Sequence, residues 1–254
     1  MKWLSKDMNE HEQYMADFER IFDGLDRLGP GSAEDTLQAL HALPAVPHTL
    51  LDIGCGRGVS TVLLAEHTPA LITALDNDEY NLTCLRETLG DKALQERVKL
   101  VCASMTEMPF ARQQFDAIWA EGSAYIMGFE KALKSWRPFI RPQGFLVVSD
   151  LLWLTDNRHR EASAFWCQSY PDMTTEDDRL STIAKLDYQV LNSFPLSQQA
   201  WENYLAPLRE KIARLSPQEF SSKALADITK ELDIHRQYLG EYGYQLFILQ
   251  KKGA

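Results

Sequence analysis

No stretch of the chain assembles the roughly 18 to 20 apolar residues that a bilayer crossing needs. The opening Met-Lys-Trp-Leu-Ser-Lys-Asp has no apolar run behind its lysines to act as a secretory signal. The expectation is a cytoplasmic chain with no membrane partner. Cysteine is scarce, at four in 254 residues. Cys55, Cys84, Cys102 and Cys167 form no Cys-x-x-Cys pair, and the six histidines have no zinc-type spacing. Neither a disulfide framework nor a metal site is expected, and the thiols should be reduced and mostly in the core. Positive charge is also short: 26 Lys and Arg against 36 Asp and Glu leave a formal charge of -10. That balance opposes attraction to phosphate backbones or anionic lipid, so no nucleic-acid partner is expected. Repeats and low-complexity tracts are missing as well. What remains is a chain of 45% hydrophobic and 24% charged residues, enough for one domain over residues 1–254.

Three stretches differ in pattern. Residues 1–47 read as an N-terminal helical cap: Tyr14, Phe18, Ile21, Phe22 and Leu25 fall at helical spacing behind an Asp7-x-x-Glu10 start of capping-box type, giving a first amphipathic helix that ends near Gly24. Ser32 is placed to cap a second helix before Pro44 and Pro47. In residues 48–150 short apolar runs read as strands: Thr49–Ile53, Leu71–Leu75, Val98–Cys102, Phe115–Ala120 and Phe145–Ser149. Amphipathic stretches separate them. Continuous apolar strands alternating with such helices predict an open, mostly parallel α/β sheet covered on both faces. Residues 151–254 are more aromatic. The pattern predicts helices over Thr155–Tyr170 and Thr175–Leu186, a strand over Tyr188–Phe194, and a helix over Ser197–Leu215 bent at Pro207. A further helix follows the Ser216-Pro217-x-Glu219 start signature, and the last strand is Tyr244–Gln250. A helical insertion before the final strand is thus expected above one sheet edge, where substrate walls are built.

The chemistry concentrates in Leu50-Leu51-Asp52-Ile53-Gly54-Cys55-Gly56-Arg57-Gly58, which runs off the first strand into a helix. The glycines permit a tight turn and a close ligand approach beside exposed helix-start N–H groups. The dinucleotide pattern G-x-G-x-x-G would need glycine where Val59 stands, so the pyrophosphate fingerprint is not met. Asp52, at the end of a buried strand, is costly unless a cationic or donating group meets it. Asp76 ends the second strand, where a carboxylate can accept both ribose hydroxyls. Two acids around a glycine turn suit a nucleoside joined to an amino-acid cation better than a diphosphate.

With these residues in place, the stretch 48–150 resembles class I S-adenosylmethionine-dependent methyltransferases, whose first motif is apolar-apolar-Asp/Glu-apolar-Gly-x-Gly-x-Gly. The resemblance implies a Rossmann-like seven-stranded fold, S-adenosylmethionine as cofactor (S-adenosylhomocysteine as product) and methyl transfer to a small-molecule acceptor. It implies that Asp52, Gly54, Cys55, Gly56 and Gly58 hold the methionine moiety and that Asp76, with Asn77 adjacent, holds the ribose. Where the family often has Gly-Asp-Ala, this chain has Ala103-Ser104-Met105, so the adenine contact falls to Ser104 and the Met105 backbone. Arg141-Pro142-x-Gly144 fits the family's turn before its fifth strand. The stretch Glu121-Gly122-x-x-Tyr125 departs from the Asn/Asp-Pro-Pro-Tyr pattern of relatives that methylate nucleobase or amide nitrogens. Together with Trp153, Phe165-Trp166, Tyr170-Pro171 and the Trp201–Tyr204 segment, it resembles a bacterial subgroup of small-molecule methyltransferases.

Glu121 stands as a cofactor contact or a base, with capping or pairing as its structural alternative. Tyr125 and His159 are the other candidates for proton handling. The tryptophans at 153, 166 and 201 could surround a methylatable amine, although core packing explains them more simply. Three other functions compete with methyl transfer: a noncatalytic nucleoside-binding module, a nicotinamide-dependent oxidoreductase, which Val59 and Asp52 oppose, and an RNA methyltransferase, which the acidic balance opposes.

Overall fold

The computed structural model describes residues 9–253. Seven strands form one sheet in the order β3-β2-β1-β4-β5-β7-β6. These are β1 (Thr49–Ile53), β2 (Leu71–Asp76), β3 (Val98–Cys102), β4 (Phe115–Ala120), β5 (Ile140–Trp153), β6 (Tyr188–Pro195) and β7 (Tyr242–Lys251). The first five pair in parallel, while β7 runs antiparallel to both β5 and β6. This is the open, mostly parallel α/β sheet expected. Because β1 has β2 on one side and β4 on the other, the chain reverses direction across the sheet at β1. In such sheets ligands bind in the crevice beyond the carboxyl ends of the strands at that point.

The apolar strand runs bury alternate residues on opposite faces. Leu50, Ile72, Trp119 and Val147 pack against α3 (Val59–His67) and α4 (Glu79–Asp91). Leu51, Ile118 and Val148 face α5 (Phe129–Trp136) and α7 (Glu176–Lys185) on the other side. A third cluster stands off the sheet. Here α1 (Glu10–Phe22), α6 (Arg160–Ser169), α8 (Gln198–Ile212) and α9 (Ala224–Tyr238) close over Trp153 and Tyr242. Trp153, Trp166 and Trp201 are all buried in it, so they build the cap rather than an open amine cage. The helical insertion between β6 and β7 and the N-terminal helix therefore join in one lid-like body.

Several boundaries moved for identifiable reasons. Asp7 lies outside the described residues; the capping box present is Asn9 with Glu12, and α1 stops at Phe22. Ser32 caps α2 (Ala33–His41) as expected, accepting from the Asp35 N–H. α6 starts at Arg160, five residues later than Thr155, and His159 caps it. Ser216–Glu219 does not open α9: Pro217–Glu219 is a separate 3₁₀ turn. The buried Asp17 carboxylate of α1 accepts the N–H groups of Ser221 and Ser222, which draws this loop toward α1 and delays the helix to Ala224. Arg141-Pro142-x-Gly144 lies inside β5 at a bulge, where the register jumps from Phe115↔Ile140 to Ala117↔Phe145. The four cysteines are free thiols, but none is fully buried, and Cys102 and Cys167 are exposed, so the expected core placement is corrected.

Candidate active site

The glycine turn follows β1. Gly54 and Gly58 have φ of +69° and +81°, a region that residues with a Cβ rarely adopt. Space enforces the same choice: a Cβ on Gly58 would lie 2.1 Å from Leu85 Cδ1, and one on Gly54 would lie 2.6 Å from Ser123 Cβ. The turn is tied to β2 by the Gly54 and Cys55 N–H groups, both donating to the Leu75 carbonyl at 2.8 and 3.1 Å. Gly58 occupies the cap position of α3 with no side chain capping it, so the helix start is left open for a ligand.

Asp76 is tied to this turn directly. One carboxylate oxygen accepts the Gly56 N–H at 2.8 Å and the other accepts the Asp78 N–H at 3.0 Å. Each oxygen keeps acceptor capacity for a further donor. The turn and Asp76 line a cavity of about 760 Å³, large enough for a nucleoside amino acid with a second molecule beside it. Gly54, Cys55, Gly56, Gly58, Asn77, Ser104, Met105 and Glu121 line the same cavity, so nearly all the expected cofactor residues converge. The Met105 carbonyl is taken by the Trp136 indole N–H at 3.3 Å, whereas its backbone N–H has no partner among the described residues. Ser104 Oγ pairs with Thr106 Oγ1 at 2.8 Å.

Asp52 behaves differently from the expectation. Its carboxylate is 3% exposed and is absent from the cavity wall; it receives the Thr61 hydroxyl beneath the turn. Burial raises its pKa to about 7, with the negative charges of Glu121 and Asp76 adding to the effect and the Thr61 hydrogen bond opposing it. Asp52 thus supports the turn from below, where its charge is felt in the cavity without contact.

Glu121 follows β4 directly, at the cavity wall. It accepts from the Thr36 hydroxyl at 2.8 Å, the Ser60 hydroxyl at 3.1 Å and the Trp119 indole N–H at 2.6 Å. Burial raises its pKa, while these donors and Arg27 pull the other way. A carboxylate engaged by three donors is held in place more than it is poised to take a proton. Tyr125 also reaches the cavity, its ring packed edge-on against Tyr170 at 5.9 Å. His159 does not: it sits at the surface, stacked on Tyr238 at 4.6 Å, so it is not brought to the site.

Two cavity residues were not foreseen. Arg27, in the loop after α1, lines the cavity with no hydrogen-bond partner among the described residues. Burial depresses its pKa, and Glu121, Asp26 and Asp35 oppose that. Arg57 of the glycine turn donates to the Leu25 carbonyl and lies 5.5 Å over the Tyr80 ring, while the Tyr80 hydroxyl donates to Asp23 at 2.6 Å. These contacts clasp the 23–30 loop across the cofactor side. A lone arginine in a loop carries no sequence pattern; only its neighbour Gly29-Pro30-Gly31 marked the turn that brings it inward.

The sheet order, the glycine turn at the reversal point and the acid after β2 define the fold of the class I methyltransferases. Residues 51–148 match the family model described as a methyltransferase domain. Methyltransferase GfsG of Streptomyces halstedii is 28% identical over 145 residues, 57% of this chain and 51% of that protein. The chain spans about half the length of the relatives it matches first. Among solved structures, a SAM-dependent methyltransferase from Geobacter sulfurreducens in complex with S-adenosyl-L-homocysteine superposes with a TM-score of 0.79 at 18% identity, over 92% of this chain and 97% of the other. The [4+2]-cyclase SpnF superposes with a TM-score of 0.77 at 17% identity, over 96% and 97%. Among the described residues no helix is long and apolar enough to cross a membrane, and no cluster of three metal-ligating side chains is present.

Proposed function

We propose that the protein is an S-adenosylmethionine-dependent methyltransferase acting on a small-molecule acceptor. The observation that carries this reading is the glycine turn joined to Asp76 through the Gly56 N–H, at the wall of a cavity shared with Glu121 and Arg27. The residues fit the donor. Asp76 would accept the ribose hydroxyls, the free Met105 N–H and Ser104 would meet the adenine edge, and Asn77 would flank the ribose. Arg27 would hold the methionine carboxylate while Glu121 and, from beneath, Asp52 favour the positive charges. When bound, the donor supplies a methyl group on a positively charged sulfur, which leaves as a neutral thioether.

The chain's own contribution is placement. Orienting two reactants can recover roughly 7 to 11 kcal/mol of barrier, more than a positioned base usually supplies. Phe18 and Phe22 of α1 line the cavity and anchor it to the cap, and the Arg57 and Tyr80 contacts hold the 23–30 loop against it. Tyr125 stands where a hydroxyl could orient the acceptor. This reading takes the protein as acting in the cytoplasm without nucleic acid.

The test is incubation of the purified chain with methyl-labelled S-adenosylmethionine and a metabolite extract, followed by mass analysis. A labelled small molecule, absent with heat-treated protein, is the expected result. Tight S-adenosylhomocysteine binding with no label transferred to any product would replace the enzyme by a noncatalytic nucleoside-binding module.

A further inference from the structure

The most enclosed ion pair among the described residues joins Asp150 of β5 to Arg179 of α7 at 2.6 Å, their side chains 0% and 4% exposed. Taking two charges out of water costs about what their attraction returns, and apolar replacements of similar volume are often neutral or stabilising. Stability alone therefore leaves the pair unexplained, and its further partners supply the reason. Asp150 also accepts the Tyr170 hydroxyl at 2.7 Å. Arg179 Nη2 donates to the Asp172 carbonyl at 2.6 Å and lies 3.1 Å from both the Asp172 carboxylate and the Tyr170 hydroxyl oxygen. The pair thus fixes two side chains of one loop.

Both of those side chains reach the stretch between β4 and α5. The Tyr170 ring packs edge-on against Tyr125 at 5.9 Å. Asp172 accepts the Phe129 N–H at 3.2 Å and so caps α5, whose own cap residue, Gly128, has no side chain to do it. The opposite end of the stretch is tied to the cofactor floor. Ser123 Oγ donates to the Ile53 carbonyl at 2.7 Å, just before the glycine turn, and the Gly122 N–H donates to Ser149 Oγ at 2.8 Å. Between these anchors Tyr125, Ile126 and Met127 line the cavity, whereas Asp150, Tyr170, Asp172 and Arg179 stand outside its wall. The cluster reaches the reaction only by setting where that turn sits.

We propose that Asp150 and Arg179 are positioning residues for methyl transfer, which hold the turn carrying Tyr125, Ile126 and Met127 through Tyr170 and Asp172 and so keep that wall in register with the donor. This rests on the methyltransferase reading above and adds residues that touch neither donor nor acceptor. In-line displacement makes the demand, because a misplacement of about 1 Å can cost on the order of a hundredfold in rate. A fully bonded polar cluster has one arrangement, while an apolar filling packs in several.

The test uses Asp150→Leu/Arg179→Met, which removes both charges together and leaves no buried ion unpaired. Melting temperature reports folding, and calorimetry should find S-adenosylhomocysteine affinity within about threefold of the unchanged protein. With saturating methyl-labelled S-adenosylmethionine and a metabolite extract as the acceptor source, label transfer should slow at least about tenfold while the KM for S-adenosylmethionine holds. Removing the residue acted upon should erase the effect: in a Tyr125→Ala background the double change should cost no more than about a further twofold. Hydrogen exchange on the S-adenosylhomocysteine-loaded protein reads the turn without turnover. Amides 123–129 should exchange at least about tenfold faster in the double variant, while those of 54–58 stay unchanged. Where the double variant does not fold, Tyr170→Phe, which keeps the ring and loses only the hydroxyl, carries the same comparisons with effects of about threefold. Undiminished transfer in a folded variant, a loss that adds in full to that of Tyr125→Ala, or unchanged exchange over 123–129 overturns the positioning role. Absence of label transfer by the unchanged protein overturns the methyltransferase reading instead, and the exchange comparison then decides by itself whether the cluster holds the turn.

Discussion

The cavity is bounded by two regions built on different physics. Its floor is the glycine turn with Asp76, where the close fit is made by backbone: four N–H groups donate to the Leu75 carbonyl or the Asp76 carboxylate, and missing Cβ atoms leave room for Leu85 and Ser123. Its roof is α1, whose Phe18 and Phe22 line it and join the cap by burial of aromatic surface, Phe22 stacking on Tyr204. A backbone-built floor tolerates almost no substitution at its glycines and leaves little freedom in what it binds. A side-chain-built roof can be repacked while the floor stays intact, which is how one cofactor site can serve many acceptors.

The largest effect expected from this contrast is on stability in the cap. Trp201→Ala should cost about 3 to 5 kcal/mol, as deletion of a buried Trp does, yet leave S-adenosylhomocysteine affinity within about threefold when measured below the melting transition. Urea unfolding with calorimetry checks both, and loss of binding in the folded variant would show that roof and floor are not separable. Gly58→Val should destabilise the floor by at least about 2 kcal/mol, from left-handed backbone strain and overpacking on Leu85, and abolish measurable S-adenosylhomocysteine binding. A variant that still binds would remove the reason given for that glycine. Asp76→Ala should weaken S-adenosylhomocysteine at least about tenfold, or 1.4 kcal/mol; unchanged affinity rejects the ribose assignment.

Smaller effects sharpen the account of charge. Arg27→Met should weaken S-adenosylhomocysteine about fivefold, the scale of a charged hydrogen bond facing solvent on one side, and leave 5′-methylthioadenosine, which has no carboxylate, unaffected. Equal losses for both ligands would assign Arg27 to the loop's structure. Proton release is the smallest signal. Asp52 has its pKa raised to about 7 by burial, so in the ligand-free protein it is partly protonated at neutral pH. A cation bound nearby favours the ionised form and lowers that pKa, so S-adenosylhomocysteine binding at pH 7 should release a fraction of a proton. Calorimetry in two buffers of different ionisation enthalpy measures it, and Asp52→Asn should abolish it. The same raised pKa has a sign for folding: a buried acid that stays protonated above its unfolded pKa stabilises less as pH climbs toward 7. Ligand-free stability should therefore fall over that window, and less steeply in Asp52→Asn.

Most of the floor is legible in the sequence. Gly54, Gly58 and Asp76 sit where strand ends meet helix starts, and the apolar runs set those ends to within a residue or two. Asp52 was legible as a strand-end acid but not in its direction, because alternation along a strand tells the face a residue takes and not whether its carboxylate meets Thr61 or a ligand. His159 looked like a proton carrier from its residue type alone, and helix capping claimed it. In the cap, Ser216–Glu219 had the local signature of a helix start, yet the N–H groups a few residues on were drawn to Asp17, more than 200 positions earlier in the chain.

The chain's local pattern determined the parallel sheet, the turn after its first strand and the acid after its second, because periodicity and glycine act over a few residues. Tertiary structure decided which loop arginine reaches the cavity and that Glu121 is held by Thr36, Ser60 and Trp119. Those arrangements depend on contacts between segments far apart in sequence. The free energy that places them is the burial of a shared aromatic core, to which every cap helix contributes and which none specifies alone.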